Sequence, residues 1–215
     1  MSTVGIVGAG NIGTAVAKAA LGHGYDVVIA NSRGPETLTG LVAELGPRAK
    51  AGTVAEAASR GDLVVVAVPL KNVADLDPAP FAGKTVVDAN NYYPQRDGQI
   101  AELDDESTTT SELVQHHLAG ARVVKAFNHI PAAEILSTAR PAGAADRRAL
   151  IVAGDDETAR AQVAAFLDSI GFDVLDLGPL SEGWRIQRDT PGYVQNLNRT
   201  DLATKVAEAR RYRDM

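Results

Sequence analysis

A doubly wound α/β fold on a mostly parallel sheet is what the 215-residue sequence predicts, on three observations. Short β-branched runs alternate with alanine-rich stretches of helical spacing. One run, Asp62-Leu63-Val64-Val65-Val66-Ala67-Val68-Pro69, is apolar on both faces, as a central parallel strand must be. The chain also opens on a strand, a glycine-rich turn and a helix, in that order.

The opening stretch is Thr3-Val4-Gly5-Ile6-Val7-Gly8-Ala9-Gly10-Asn11-Ile12-Gly13. Val4 to Val7 forms a buried strand, and the chain must turn within Gly8-Ala9-Gly10 to start a helix from Ile12 to Leu21. Gly8 permits the turn, Gly10 leaves out a Cβ that would block a pyrophosphate, and Gly13 lets the helix lie close on the strand. The free amides of Asn11, Ile12 and Gly13 and the positive helix end then face the diphosphate. Gly22 and Gly24 stop the helix, and Tyr25 to Ala30 is a second strand that completes a Rossmann-type unit.

The residue after that strand selects the cofactor. An NAD site places Asp or Glu there for the ribose hydroxyls, and a carboxylate repels a 2′-phosphate. Here the run is Asn31-Ser32-Arg33: Asn31 and Ser32 can donate to a phosphate and Arg33 can grip it with a charged fork, which points to NADP(H). The same run also has the composition of a polar, helix-capping loop.

Further on, the spacing predicts a helix over Glu36 to Leu45, a third strand at Ala51 to Thr53, a helix over Ala55 to Ser59 and the central fourth strand. A short helix near Asn72 to Asp75 precedes a fifth strand, Thr85 to Asp88. Gln95 to Thr110 is polar and aperiodic and reads as a surface loop, with Ser111 capping a helix from Glu112 to Leu118. Arg122 to Phe127 is a sixth strand, followed by a helix over Pro131 to Ser137 and a soft boundary at Ala139 to Asp146. Strands at Ala149 to Ala153 and Asp173 to Leu177 flank an amphipathic helix, Glu157 to Ile170. The chain then has helical spacing over Ser181 to Arg188 and Tyr193 to Tyr212.

Composition narrows the function. Aromatic residues are 5% of the chain and the formal charge is −6, with no Lys/Arg block, so nucleic acid is not an expected partner. With no cysteine there is no disulfide, thiolate metal site or cysteine nucleophile, and redox chemistry falls to bound coenzymes. His116 and His117 point in different directions on a helix, so no metal site is expected. The first strand leaves no room for a signal peptide, and the longest apolar run, Leu63 to Leu70, is too short for a bilayer. A cytoplasmic protein with no membrane partner is the expectation.

The strand ends Val68-Pro69-Leu70, Ala89-Asn90-Asn91 and Asn128-His129-Ile130, with Ala126 just before the last, meet at the carboxyl edge of such a sheet and are candidate pocket walls. Asn128 would equally satisfy main-chain groups at a strand end, and His129 would equally face solvent. Tyr92 and Tyr93 suit an acceptor cleft or an ordinary turn, and Trp184 and Tyr193 suit a ring-stacking edge or helix packing.

On Gly8 to Gly13, Asn31-Ser32-Arg33, Val124-Lys125-Ala126-Phe127-Asn128-His129-Ile130-Pro131-Ala132-Ala133, Ala153-Gly154-Asp155-Asp156-Glu157 and Asp176-Leu177-Gly178-Pro179-Leu180, the chain resembles the NADPH-dependent reductases of the deazaflavin coenzyme F420. The fold of that family resembles the cytosolic domain of the STEAP metalloreductases. The resemblance implies hydride transfer between NADP(H) and a deazaflavin or flavin stacked on the nicotinamide. The cleft would lie between an NADP-binding domain at 1–138 and a small C-terminal extension at 139–215, in a homodimer. It also implies that Asn128, His129 and Ile130 position the rings. Some relatives carry His where this chain has Asn128, and Thr is usual at the place of His129. With two coenzymes as reactants, no side-chain acid or base is obligatory. Two other classes share the glycine motif: a reductase of small imines or carbonyls similar to pyrroline-5-carboxylate reductase, and a non-enzymatic NADP(H) sensor.

Overall fold

The computed structural model describes residues 2–211. The alternation in the sequence is realised as β1 (Thr3–Val7), α1 (Asn11–Gly22), β2 (Asp26–Ala30), α2 (Thr39–Leu45), β3 (Ala49–Ala51), α3 (Val54–Arg60), β4 (Leu63–Val66) and β5 (Thr85–Asp88). There follow α4 (Pro94–Asp97), α5 (Ala101–Asp104), α6 (Thr110–His117), β6 (Arg122–Lys125), α7 (Glu134–Ser137), β7 (Ala149–Gly154), α8 (Glu157–Ser169), β8 (Asp173–Asp176) and α9 (Arg199–Ala207). The strands form one eight-stranded sheet in the order β3-β2-β1-β4-β5-β6-β7-β8. Neighbours are parallel from β3 through β6; β7 runs antiparallel to β6, and β8 parallel to β7. The order reverses between β1 and β4, which puts the binding crevice beyond the carboxyl ends of those strands.

Side chains on successive strand positions face opposite sides, and the sheet is covered on both. On one side Ile6, Val65, Val87 and Val124 pack with Val16 and Ala20 of α1 and Phe166 and Leu167 of α8. On the other, Val64, Val66, Val86 and Val123 pack with Ala57 and Ala58 of α3 and Val114 of α6. All four residues of β4 are buried, which is why its sequence shows no alternation. A smaller cluster seats Leu202 and Val206 of α9 on Ala149 and Ile151 of β7.

Several local expectations are corrected. The helix expected over Glu36 to Leu45 is split into a 3-10 turn, Pro35–Leu38, and α2. The stretch from Gln95 to Thr110 is not a plain loop: it holds most of α4 and all of α5. Thr109, not Ser111, caps α6, in a reciprocal box with Glu112, while Ser111 is buried and turned inward. The helix expected from Pro131 is only the turn α7. Ser181 to Arg188 is mostly a 3-10 segment, Leu180–Ile186. The last helix starts at Arg199 under an Asn198 cap because the chain before it is irregular, with positive φ at Asp189 and Val194. Tyr212, expected at its end, lies outside the described residues.

Candidate functional site

The glycine loop behaves as its spacing demands. Gly8 has φ of 114°, and a Cβ there would meet the Ala67 carbonyl oxygen at 2.3 Å. A Cβ on Gly13 would lie 1.8 Å from the Gly8 carbonyl oxygen, so α1 sits on β1 only because residue 13 is glycine. At Gly10 a Cβ would meet nothing within 4 Å, and the main chain borders open space. No side chain caps α1 and no acidic residue occupies its first turn, so its leading N–H groups and positive end are left for an anion.

A cleft of about 690 Å³ runs from Gly8 and Gly10 past Asn31, Ser32 and Arg33 on one side and Val68 and Pro69 on the other. Asn31 shapes the loop: its Oδ1 accepts from the Arg33 N–H (2.9 Å) and its Nδ2 donates to Thr37 Oγ1 (2.9 Å). Arg33 is exposed and its guanidinium has no hydrogen-bond or ion-pair partner among the described residues. An unpaired guanidinium held by an Asn-initiated turn at the end of β2 fits a phosphate on the adenosine ribose.

Past Val68 and Pro69 the cleft continues as a smaller space of about 220 Å³, walled by Asn11, Ile12, Ala89, Asn90, Tyr93 and Arg96, among others. Behind that wall lies a buried polar network. Asp88 and Lys125 are cross-strand partners at the ends of β5 and β6, and Lys125 Nζ is 3.6 Å from Asp88 Oδ2. The three ammonium protons each have an acceptor: Thr110 Oγ1 (2.9 Å), Ser111 Oγ (3.1 Å) and the Asn90 carbonyl (3.1 Å). The Ser111 hydroxyl donates in turn to Asp88 Oδ2 (2.5 Å), and Asp88 Oδ1 accepts from the Asn90 N–H (3.0 Å). Burial pushes the Lys125 pKa down, opposed by the Asp88 carboxylate.

A second cluster stands at the mouth. The Tyr93 ring lies between the guanidiniums of Arg96 (4.7 Å) and Arg188 (5.1 Å), and its hydroxyl is 3.0 Å from that of Tyr193. Burial and the bond to Tyr93 raise the Tyr193 pKa, so its hydroxyl stays protonated. Burial would raise the Asp97 pKa, but the Arg96 guanidinium and the N–H groups of Tyr93 and Lys71 hold it below the usual carboxylate range. Tyr92 turns away and donates to Asp104 (2.8 Å). Trp184 is nearly buried between the guanidiniums of Arg185 and Arg211 and borders a separate cavity of about 200 Å³.

The structure thus brings Gly8, Gly10, Asn11, Ile12, Asn31, Ser32, Arg33, Val68, Pro69, Ala89 and Asn90 to one continuous cleft. Asn91, also expected there, lines the same cleft, while Leu70, Ala126, Asn128, His129 and Ile130 lie behind it. Leu70 and Ala126 are core residues. Asn128 is buried and ties three segments together: its Nδ2 donates to the Ile186 carbonyl (2.9 Å), and its own carbonyl accepts from Asn91 Nδ2 (2.6 Å). Ile130 packs inward, and His129, expected at a wall or in solvent, is fully buried. The turn that carries them inward starts at Phe127, a non-glycine residue at φ of 62° whose buried ring packs edge-on to Phe166. His129 Nδ1 donates to Asn128 Oδ1 and its Nε2 accepts from the Ile151 N–H, both at 3.4 Å. Burial, then the charges of Arg148 and Lys125, lower its pKa to about 3, so the ring is neutral. His117 bonds the Leu76 carbonyl (2.8 Å). Asp88, Thr110 and Lys125 were absent from the expected site; the available signal was a charged residue ending each of two β-branched strands.

The family described as NADP oxidoreductase coenzyme F420-dependent matches residues 3–92. Among solved structures, the chain is similar to a hypothetical protein from Sinorhizobium meliloti, with 34% identity and a TM-score of 0.78 over 92% of this chain and 96% of that one. A candidate F420-dependent NADP reductase from Arthrobacter sp. FB24 has 28% identity and a TM-score of 0.69 over 83% of this chain and 85% of the other. An imine reductase from Aspergillus terreus, solved with NADPH4, shares the fold at 20% identity and a TM-score of 0.59; 83% of this chain spans 55% of it. No curated protein matches the chain. No helix among the described residues is long and apolar enough to cross a membrane. The chain belongs to the same family as the S. meliloti protein and is an NAD(P)-dependent oxidoreductase of the Rossmann-fold superfamily.

Proposed function

We propose that the enzyme binds NADP(H) in preference to NAD(H), and reduces a small imine or carbonyl compound presented at the Tyr93 mouth of the cleft. The cofactor reading rests on the unpaired Arg33 guanidinium at one end and the open, uncapped start of α1 in the middle. NADPH supplies a hydride when bound. The protein's part is to orient the dinucleotide along the glycine loop and Val68-Pro69, and to exclude water around the ring.

The acceptor reading rests on one observation, the Tyr93 hydroxyl hydrogen-bonded to Tyr193 beside the 220 Å³ end of the cleft. A C=N or C=O group that receives a hydride on carbon must receive a proton on nitrogen or oxygen. A phenol held by a second, protonated phenol is placed to give that proton and to regain one from solvent. The C-terminal extension from residue 139 contributes Arg188 and Tyr193 to this mouth. A second reading, a deazaflavin or flavin acceptor, is favoured by the family matched at residues 3–92 and by the Arthrobacter relative.

A panel of NADPH oxidation assays separates the readings: cyclic imines and small ketones in one arm, deazaflavin, FMN, FAD and ferric chelates in the other. Turnover in the first arm is the expected result. Turnover only in the second overturns the acceptor and keeps the cofactor. Binding of NADPH with turnover in neither arm moves the protein to the sensor class.

A further inference from the structure

Within the nicotinamide end of the cleft, one side chain is held in place with nothing to bond. Asn90 is 3% exposed, and its Nδ2 is buried without a hydrogen-bond partner. Its main chain has no freedom to relieve this: the N–H donates to Asp88 Oδ1 (3.0 Å) and the carbonyl accepts from Lys125 Nζ (3.1 Å). A buried amide left unpaired costs stability, and such groups are rare unless ordered water or a ligand completes them. Asn90 also lines the 220 Å³ space, beside Ala89 and Pro69.

We infer that Asn90 reads the carboxamide of the nicotinamide ring, a deepening that rests on the NADP(H) reading above. With the 2′-phosphate at Arg33 and the diphosphate at the start of α1, the rest of the dinucleotide extends past Val68 and Pro69 to Ala89 and Asn90. The part that arrives there is the ring with its carboxamide, one acceptor oxygen and one donor NH₂. The Asn90 side chain offers the complementary set, one donor and one acceptor, in an orientation fixed from behind by the Asp88–Lys125 pair. Two such bonds fix which face of the ring meets the acceptor.

The test compares Asn90→Ala with the wild type by calorimetry, using NADP⁺, 2′,5′-ADP, which lacks the nicotinamide half, and the NADP⁺ analogue with acetyl in place of the carboxamide. The expected result has three parts. NADP⁺ binding weakens by about tenfold or more, 2′,5′-ADP binding is unchanged, and the wild-type preference for NADP⁺ over the acetyl analogue is lost. Equal weakening of NADP⁺ and 2′,5′-ADP, or no weakening, overturns the assignment. Equal weakening of NADP⁺ and the acetyl analogue also overturns the two-bond assignment, since the contact is then to a group both share, the carbonyl oxygen or the ribose. Failure of the folded wild type to bind 2′,5′-ADP removes the NADP(H) reading itself, and is distinct from the other outcomes. If Asn90→Ala does not fold, the near-isosteric Asn90→Asp, which exchanges the donor for a second acceptor, is subject to the same comparison.

Discussion

At the Arg33 end of the cleft the binding groups are neighbours in sequence: a glycine loop, the first amides of α1, and three polar residues after β2. At the Asn90 end the wall is held by Asp88, Thr110, Ser111 and Lys125, which come from three separate elements. The first end is exposed and its charge has no protein partner; the second is buried and every proton of its ammonium is spoken for. On the NADP(H) reading proposed above, the contrast follows from what each end would hold. A phosphate brings its own charge and needs free donors, whereas a neutral ring needs a rigid wall that does not compete for it. Substitutions at open-end positions such as Gly10 and Arg33, where a side chain meets no partner among the described residues, should therefore change binding with little change in stability. Those at packed positions, Gly13 under the loop and Lys125 beneath the closed end, should change stability first.

Two glycines of the loop give the widest separation. Gly13→Ala forces a Cβ to 1.8 Å from a main-chain oxygen, and is expected to cost more than about 4 kcal/mol or to leave no folded protein. Gly10→Val projects into open space, so it should alter stability by about 1 kcal/mol and yet abolish binding of both NADPH and NADH. Denaturant unfolding beside calorimetry checks this, and a folded, stable Gly13→Ala protein would break the contrast.

Next in size is Lys125→Met, which leaves the Asp88 carboxylate buried without its counter-charge. The expected loss is about 3–5 kcal/mol, with partial recovery when Asp88→Asn is added. Arg33→Ala is smaller and of the other kind. The exposed guanidinium holds nothing in the protein, so the unfolding midpoint should not move, while the NADPH dissociation constant rises at least about tenfold, roughly 1.4 kcal/mol. NADH binding should change little, and equal weakening of the two cofactors would defeat the 2′-phosphate assignment.

The same contrast explains what could be read from the sequence. Seven of the eight strands were legible because each carries β-branched residues in an apolar run between turn signals; β3, Ala49–Ala51, has none, and the strand expected at Ala51 to Thr53 meets it only at Ala51. The glycine loop was legible because its three roles fall within six residues. The buried network was not, since Asp88 and Ser111 are 23 residues apart and Lys125 and Asn90 are 35 apart. Only the pairing of β5 with β6 shows that Thr85-Val86-Val87-Asp88 and Arg122-Val123-Val124-Lys125 end on opposite charges in register. Ser111 misled for a related reason: a hydroxyl before a helical run suits a cap, but Thr109 takes that place and frees Ser111 for Asp88. His129 misled because strand ends at this sheet edge normally face the ligand, whereas the left-handed turn at Phe127 carries the next residues inward.

That inward turn gives the smallest of the expected effects, a pH dependence from a residue that first looked like a ligand contact. His129 is neutral in the folded protein, with its pKa lowered from 6.5 to about 3 by burial and by the positive charges of Arg148 and Lys125. Once unfolded, the imidazole titrates at about 6.5. Above that pH both states hold a neutral ring and nothing is lost. As the pH falls toward 3 the unfolded chain takes up a proton that the folded protein refuses, so stability declines across the whole interval. Between about pH 7 and pH 5.5 the decline should be about 1 kcal/mol, and it should be absent in His129→Asn. Cofactor affinity at the Arg33 end should weaken over the same range as the 2′-phosphate, with a second pKa of about 6, takes up a proton, but equally in the wild type and in His129→Asn, because His129 lies outside both parts of the cleft.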